Sequence, residues 1–184
     1  DDYKGVPVAT QAKKELDAAL RNAWRLLNLI NQMLDLSKLE AGQRKLKARE
    51  GDLAAYIVHL ARSFESLAQR KRITLQVRPA EAPVSFLYDP ELMENVFLNL
   101  LSNAFKFTPD GGLIQVSMDV DQDGDPGFFR VTVRDNGPGI PAEELPRIFD
   151  RFYQAGRDRS TEMAGTGIGL SLAREVVHLH GGTI

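Results

Sequence analysis

The stretch ENVFLNLLSNAFKF, Glu94–Phe107, predicts a helix that carries a row of amide side chains. Asn95, Asn99 and Asn103 recur every four residues, so they share one face of that helix. Asparagine is a poor helix former, and amides that face an apolar domain without partners are costly. Their carbonyl oxygens suit a hard cation such as Mg²⁺, and Lys106 adds a positive charge one turn beyond Asn103. The alternative interpretation is an exposed polar stripe.

A second motif, DNGPGI (Asp135–Ile140), follows directly on the alternating stretch FFRVTVR. The alternation predicts a strand, so Asp135 stands where a strand ends and glycines begin. A plain tight turn explains this arrangement. It also suits a flat ligand, because the carboxylate can accept a hydrogen bond from an amine while Gly137 and Gly139 leave the backbone accessible. The motif alone does not separate the two interpretations.

The third motif is the glycine run at the start of GTGIGLSLAREVV, where Gly165, Gly167 and Gly169 precede a predicted helix. A glycine-rich loop at a helix N-terminus offers N–H groups and the positive end of the helix dipole to a phosphate. No strand precedes this run and no Gly-Lys-Ser/Thr follows it, so it is neither a dinucleotide fingerprint nor a Walker loop. A flexible hinge is the alternative.

The order of the three motifs is more informative than any one of them. A row of amides suits a metal ion, an Asp-Gly turn suits the amine of adenine, and a glycine loop before a helix suits phosphates. Together they predict a site for a magnesium nucleotide.

The N-terminal region is predicted to form one long helix, from Ala12 to about Ala41. Its apolar residues are spaced alternately four and three residues apart, as in a heptad repeat, at Leu16, Leu20, Ala23, Leu27, Ile30 and Leu34. Further apolar residues widen this face, namely Leu26, Leu29, Met33 and Leu36. Such a helix needs partners, and a four-helix bundle formed by dimerisation fits the wide face. The alternative is a helix packed on its own domain.

Further along the chain, helices and antiparallel strands are predicted to mix without a regular strand–helix–strand rhythm. The expected helices run from Leu53 to about Gln69, from Pro90 to about Phe107 and from Ile168 to about His180. The expected strands are RKLKAR (44–49), ITLQV (73–77), SFLYD (85–89), LIQVSMDV (113–120) and FFRVTVR (128–134), the last two forming a hairpin. This mixture predicts the α+β class.

The composition excludes several classes of protein. The 184 residues, 43% of them hydrophobic, suffice for one compact domain with an appendage. The absence of cysteine excludes disulfides, thiolate catalysis and zinc–sulfur sites. A net charge of −2 with only short basic runs does not favour nucleic acid as a partner. No apolar run approaches the roughly 18 residues of a membrane span, so no direct membrane contact is expected.

Four motifs in order resemble those of the ATP-binding catalytic domain of sensor histidine kinases, which has the Bergerat ATPase fold. NLLSNAFKFTPDGG (99–112) is similar to the N box, DNGPGI to the G1 box, IFDRFYQ (148–154) to the F box and GTGIGLSLAREVVHLHGG (165–182) to the G2 box. RLLNLINQMLDLSKLEAG (25–42) resembles the second helix of the dimerisation and phosphotransfer domain. The resemblance implies a helical region over residues 1–42 and a two-layer α/β sandwich, the ATP-binding domain, over 43–184.

The resemblance also implies roles for single residues. Asn103 would coordinate Mg²⁺ with Asn99 beside it, Lys106 would reach the phosphates, and Asp135 would accept from the adenine amine. The other implied nucleotide contacts are Gly137 and Gly139 at the adenine pocket, Tyr153 near the ribose, and Gly165, Gly167 and Gly169 at the phosphate end with Leu170 following. Phe107, Ile140 and Thr166 are implied as further contacts with the nucleotide. A lid over ATP would run from about Arg151 to Ala164, anchored by Phe149 and Phe152.

Two features depart from the family pattern. The family's phosphoacceptor histidine, which is followed by an acidic residue and Arg-Thr-Pro, has no counterpart here; His59, His178 and His180 are expected to be structural or surface residues. The sequence also stops at HGGTI, where the family continues with further strands. We therefore expect a piece of a longer chain that binds ATP without phosphorylating itself.

The resemblance implies transfer of the ATP γ-phosphate to a histidine outside this chain, with signalling to a response regulator receiver domain. It also implies a homodimer formed through the N-terminal helix. The implied location is the cytoplasm, which is also where the cytoplasmic part of a membrane-bound bacterial sensor would lie. Two alternatives stay open. One is a nucleotide-binding pseudo-kinase that transfers nothing. The other is an ATP-hydrolysing protein of the same fold, in which Glu91 or Glu94 would activate water although both precede Asn95.

Overall fold

The computed structural model describes residues 7–80, 85–120, 128–155 and 165–184. Its helices are α1 (Pro7–Glu40), α2 (Leu53–Arg62), α3 (Glu65–Lys71), α4 (Pro90–Phe107) and α5 (Gly169–Leu179), with a 3₁₀ helix at Leu145–Arg147. Its strands are β1 (Arg49–Asp52), β2 (Thr74–Arg78), β3 (Ser85–Tyr88), β4 (Leu113–Val120) and β5 (Phe129–Asp135). Apart from shifts at their ends, the long first helix, α4, α5 and the strands β2 to β5 were all predicted from the sequence.

The larger sheet has the strand order β2–β4–β5. β4 pairs with β5 in antiparallel register, with Ile114 opposite Asp135, as the predicted hairpin requires. The residues that join these two strands, 121–127, lie outside the described residues. β2 instead runs parallel to β4, so the expectation of antiparallel strands alone is wrong there. The chain between β2 and β4 includes α4, which returns it to the same end of the sheet and permits parallel pairing.

Helices cover one face of this sheet, which gives the two-layer α/β sandwich. Ile114, Val116 and Met118 alternate along β4, and all three are buried. Val116 and Met118 belong to one apolar cluster with residues of α2 such as Ile57, while Ile114 packs in a neighbouring cluster with Phe105 of α4. The sheet and α2 thus fix α4 from one side, and the polar residues of α4 lie elsewhere around it.

α1 has two apolar faces. Leu36 is buried and Leu29 and Leu39 are partly buried in a cluster with residues of α4 and α5. The heptad residues are exposed, including Leu27 at 47% and Leu34 at 51%. At 100° per residue, Leu27 and Leu34 lie about 160° around the helix from Leu29 and Leu36. The helix therefore packs on its own domain with one face, while no residue in the described part of the chain covers the predicted bundle seam.

The strand expected at 44–49 is wrong except for its last residue. β1 begins at Arg49 and pairs with β3, which is only four residues long and therefore offers no partner to the residues before Arg49. The N–H of Lys47 instead donates to the carboxylate of Asp89 at 2.9 Å.

The single helix expected from Leu53 to Gln69 is also wrong, because the chain forms two helices that meet at Ser63 and Phe64. The Ser63 hydroxyl donates to the Leu60 carbonyl at 2.6 Å and helps to end α2. The Phe64 ring stacks on Phe105 with centroids 5.2 Å apart. The break thus lets Phe64 pack against α4, which a continuous helical pattern did not indicate.

Asp89, the N-cap residue of α4, joins three parts of the fold. Its buried carboxylate accepts N–H groups from Lys47, Glu91 and Leu92, and its own N–H donates to His180 Nε2 at 3.1 Å. Burial raises the pKa of Asp89, but the three N–H donors and the nearby Arg44 outweigh it, so the net pKa is lowered. The stability that this carboxylate adds is present above its unfolded-state pKa and is lost as pH falls through the lower folded value.

Candidate functional site

α4 carries the amides and the lysine that the sequence analysis singled out. Asn99 and Asn103 are half-buried, and Asn99 Nδ2 donates to the Asn95 carbonyl one turn earlier at 2.8 Å. Among the described residues, none forms a hydrogen bond with the Asn103 side chain, whose oxygen is thus available to a cation. Lys106 Nζ lies 4.7 Å from the centroid of the Phe107 ring, which is half exposed. The C-terminal half of α4 therefore presents amide oxygens and a cation on adjoining turns.

Asp135 ends β5 and builds the turn that follows. Its Oδ1 accepts the N–H of Gly137 at 2.8 Å, so the turn interpretation of this motif is correct. Asn136 Oδ1 accepts the N–H of Leu113 at 2.8 Å and closes the adjoining end of the sheet. Since no described residue donates to Asp135 Oδ2, the exposed carboxylate keeps one oxygen for a ligand. The turn and the ligand interpretations are thus compatible.

The glycine run lies against the first residues of the predicted lid. The N–H of Phe152 donates to the Gly167 carbonyl at 2.8 Å, and Gln154 Nε2 donates to the Gly165 carbonyl at 2.8 Å. Gly167 has φ of +71°, and a Cβ there would lie 2.7 Å from the Phe152 carbonyl carbon. Phe152 itself has φ of +61°, which is rare for a bulky residue and marks a conformation that its surroundings impose.

The Asp-Gly turn and the glycine run both meet α4, through three glycines that approach the helix closely. A Cβ on Gly137 would lie 2.8 Å from the Phe107 carbonyl oxygen. A Cβ on Gly169 would collide with Asn99 Oδ1, and one on Gly165 would lie 3.3 Å from Lys106 Nζ. The structure therefore brings the Asp-Gly turn and the glycine run to the same helix, as the magnesium-nucleotide hypothesis requires.

The other predicted nucleotide contacts include Tyr153, Ile140 and Leu170. Tyr153 lies under Arg147, whose Cζ is 4.4 Å from the ring centroid, and burial together with Glu144 raises the pKa of its hydroxyl. None of the described interactions of Tyr153 joins it to Asp135 or to the glycine run. Ile140 is exposed beyond Gly139, and the half-buried Leu170 follows Gly169 in α5. Of the predicted lid, residues 156–164 lie outside the described residues.

The F-box phenylalanines differ in their surroundings. The Phe149 ring lies 5.5 Å from the guanidinium carbon of Arg174 in α5, so it joins the segment to that helix. Phe152 is 57% exposed and reaches the glycine run through its backbone. The expectation that both anchor the lid is untested, but both connect its first residues to the region around α5.

Residues outside the site include Asn95 and the histidines. Asn95 lines a small cavity at the junction of α1, α4 and α5, next to Asp35 and Arg44. His180 is structural, since its ring joins Asp89 to the Val176 carbonyl. Within the described residues, no group of three acidic, histidine or cysteine side chains could hold a metal, and no helix is long and apolar enough to cross a membrane. A metal would thus depend on amide and ligand oxygens.

Sequence reasoning missed one contact of the glycine run. The Thr166 hydroxyl donates to Gln32 Oε1 of α1 at 2.9 Å, across 134 residues of chain. A signal for it was present, because Gln32 is a polar residue on the apolar face formed by Leu29, Leu36 and Leu39. A polar side chain on such a face needs a partner, although the sequence does not say which.

Residues 88–184 match the histidine kinase-, DNA gyrase B- and HSP90-like ATPase family. The chain belongs to this ATPase family. The matched region begins at the end of β3 and includes α4, the Asp135 turn and the glycine run, the parts that meet in the site.

Among curated proteins, the chain is 43% identical to the sensor histidine kinase TmoS of Ectopseudomonas mendocina over 93% of its length. It is 37% identical to the sensor histidine kinase RcsC of Escherichia coli K12 over 86% of its length. It spans only 17% and 16% of these two relatives. The structure of full-length ShkA in complex with AMPPNP matches with a TM-score of 0.74 and 26% identity, covering 91% of this chain and 34% of ShkA.

The glycine run yields a direct test. Gly167→Ala should lower the melting temperature and weaken nucleotide binding, because it combines a positive φ with a backbone clash against Phe152. Gly139→Ala is the matched control, since Gly139 has φ of +73° but no heavy atom within 4 Å of the position that a Cβ would take. Thermal unfolding should show a loss about twice as large for Gly167→Ala as for Gly139→Ala. Equal losses would contradict the close packing of the glycine run on Phe152.

Proposed function

We propose that this chain is the ATP-binding catalytic part of a sensor histidine kinase. The observation that carries the proposal is the meeting of the Asp135 turn and the glycine run on α4. Gly137 of the turn lies at Phe107, and Gly165 and Gly169 of the run lie at Lys106 and Asn99. ATP has the adenine amine at one end and phosphates at the other. The Asp135 turn supplies an acceptor for the amine, and Lys106 beside Gly165 supplies a cation for the phosphates. The family match and the AMPPNP complex of ShkA support the same assignment.

The adenine end of the proposed site is the Asp135 turn. Asp135 Oδ1 is held by the N–H of Gly137 at 2.8 Å, which orients the carboxylate so that Oδ2 can accept a hydrogen bond from the exocyclic amine of adenine. Gly137 and Gly139 keep the approach to the backbone open for the flat base. The Phe107 carbonyl lies beside Gly137, and Ile140 follows Gly139. Both side chains are apolar and exposed and would cover the ring.

The phosphate end is formed by α4 and the start of α5. Lys106 contributes a positive charge beside Gly165, and the N-terminus of α5 directs its dipole toward anions. Asn103, with Asn99 beside it, has the oxygen ligands that suit Mg²⁺. Mg²⁺ would neutralise charge on the phosphates when bound. Thr166 and Gly167 belong to the glycine run and Leu170 to the first turn of α5, so all three would lie at the phosphate end.

The proposed reaction is transfer of the γ-phosphate to a histidine of another segment or chain. The residues named here bind and orient the triphosphate, and Lys106 stabilises the charge that the transfer develops. A response regulator receiver domain would accept the phosphate in turn, in the cytoplasm. The division into a helical region at 1–42 and an ATP-binding domain at 43–184 belongs to this proposal.

We further propose that α1 dimerises. The exposed heptad residues form a seam on the side of the helix away from the ATPase domain, so a second copy can approach without displacing Leu29 or Leu36. A seam of this spacing and width suits a helical bundle.

The adenine assignment predicts the behaviour of Asp135→Asn. This variant keeps an oxygen for the N–H of Gly137 but can present an amide N–H₂ to the adenine amine, so affinity for Mg-AMPPNP should fall by at least about 100-fold. Calorimetry measures the affinity, and circular dichroism should show an unchanged fold. Asp119→Asn, at the other end of β4, is the control and should bind as the wild type does. Near wild-type affinity for Asp135→Asn would refute the adenine assignment.

The dimer proposal predicts the effect of Leu27→Glu. A charge in the exposed seam should shift the chain from dimer to monomer in sedimentation equilibrium, because paired seams would bury it. Asn22→Glu adds the same charge five residues away, on a different side of the helix, and should leave the dimer intact. A monomeric wild type, or equal behaviour of the two variants, would rule out the seam.

The three functional hypotheses differ in the fate of the γ-phosphate. The chain is mixed with labelled ATP, Mg²⁺ and a separate peptide segment that carries the phosphoacceptor histidine of a related kinase. Acid-labile label on that histidine, expected here, supports the kinase. Release of phosphate alone would support the ATP-hydrolysing alternative, and binding without either product would support the pseudo-kinase.

A further inference from the structure

Three successive residues of the glycine run are held from outside the run. Gln154 binds the Gly165 carbonyl at 2.8 Å, Gln32 binds the Thr166 hydroxyl at 2.9 Å, and the N–H of Phe152 binds the Gly167 carbonyl at 2.8 Å. Two of these tethers come from the F-box segment, which is close in sequence. The third comes from α1, which lies at the opposite end of the chain.

The tether from α1 acts on a hydroxyl with two hydrogen bonds. Thr166 Oγ1 donates to Gln32 Oε1 and also accepts the N–H of Ile168 at 3.3 Å, immediately before α5. The bond to Gln32 therefore fixes the orientation of a hydroxyl that itself helps to set the first turn of α5. Because glycines flank Thr166 on both sides, the local backbone has little stiffness of its own.

α1 faces this loop with a polar stripe. Arg21, Trp24, Asn28 and Gln32 line a cleft of about 450 Å³ whose other wall is Gly165 and Thr166. Below the cleft, Leu36 anchors α1 in the apolar cluster with Ile168 and Leu172. The position of Gln32 is thus fixed by how α1 sits on the ATPase domain.

We propose that Gln32 is a positioning residue for the phosphate end of the site, so that affinity for a triphosphate depends on the position of α1 on the ATPase domain. This rests on the proposed function, since it takes the glycine run as the phosphate loop. The tethered loop lies beside Lys106 and Asn99, the groups assigned to the phosphates and the metal. Without the tether, the loop must be ordered at the expense of binding.

The coupling works in both directions. A shift of α1 by one helical turn, about 5.4 Å, exceeds what a hydrogen bond of 2.9 Å tolerates, so it releases Thr166. By linkage, a nucleotide that needs the tethered loop also favours the seated position of α1. Adenosine, which has no phosphates, is indifferent to it.

The test is Gln32→Met, which keeps the length of the side chain and removes the acceptor. Affinity for Mg-AMPPNP, measured by calorimetry, should fall about five-fold. Affinity for adenosine, followed by the amide signals of Gly137 and Gly139 in NMR titrations, should stay within the error of the wild type. Asn31→Met, at the exposed neighbouring position, is the matched control and should change neither affinity.

A double-mutant cycle separates a tether from a general structural effect. Thr166→Val removes the other partner of the bond, so adding Gln32→Met to it should cause no further loss of Mg-AMPPNP affinity. Additive losses, an equal loss for adenosine and Mg-AMPPNP, or no loss for Gln32→Met would each overturn the role of Gln32. A wild type that binds neither ligand would instead refute the nucleotide site itself.

Discussion

The close approach of two loops to one helix is the constraint on which the site depends. Gly137 and Gly169 sit where a side chain would strike the Phe107 carbonyl or Asn99, and Gly165 lies beside Lys106. Without these approaches, the Asp135 turn and the glycine run would be separate surface features. With them, an acceptor, a cation and a helix N-terminus all adjoin the C-terminal half of α4, an arrangement that suits a nucleotide.

The rest of the fold keeps α4 in place for those contacts. The sheet and α2 hold its apolar side, while the Asp89 carboxylate caps its start and ties it to the residues after α1. His180 ties the same point to the end of α5. α1 packs on α4 and α5 through Leu36, and its Gln32 forms a hydrogen bond with Thr166 of the glycine run. The site is therefore supported from both ends of the chain.

The sequence predicted most of what depends on local pattern. The spacing of the residues indicated the amide row, the Asp-Gly turn and the glycine run, and the order of the three indicated the ligand class. The sequence pattern did not predict the parallel pairing of β2 with β4 or the break at Phe64. Each depends on tertiary packing that periodicity does not encode. The hydrogen bond between Gln32 and Thr166 was not predicted for the same reason, since its two partners are 134 residues apart.

The most direct test of the account is a crystal structure of the chain with Mg-AMPPNP. The account predicts the adenine amine on Asp135 Oδ2, the metal on Asn103, and the phosphates between Lys106 and the start of α5. A nucleotide bound elsewhere, or one whose base lies on the glycine run and whose phosphates lie at Asp135, would contradict it.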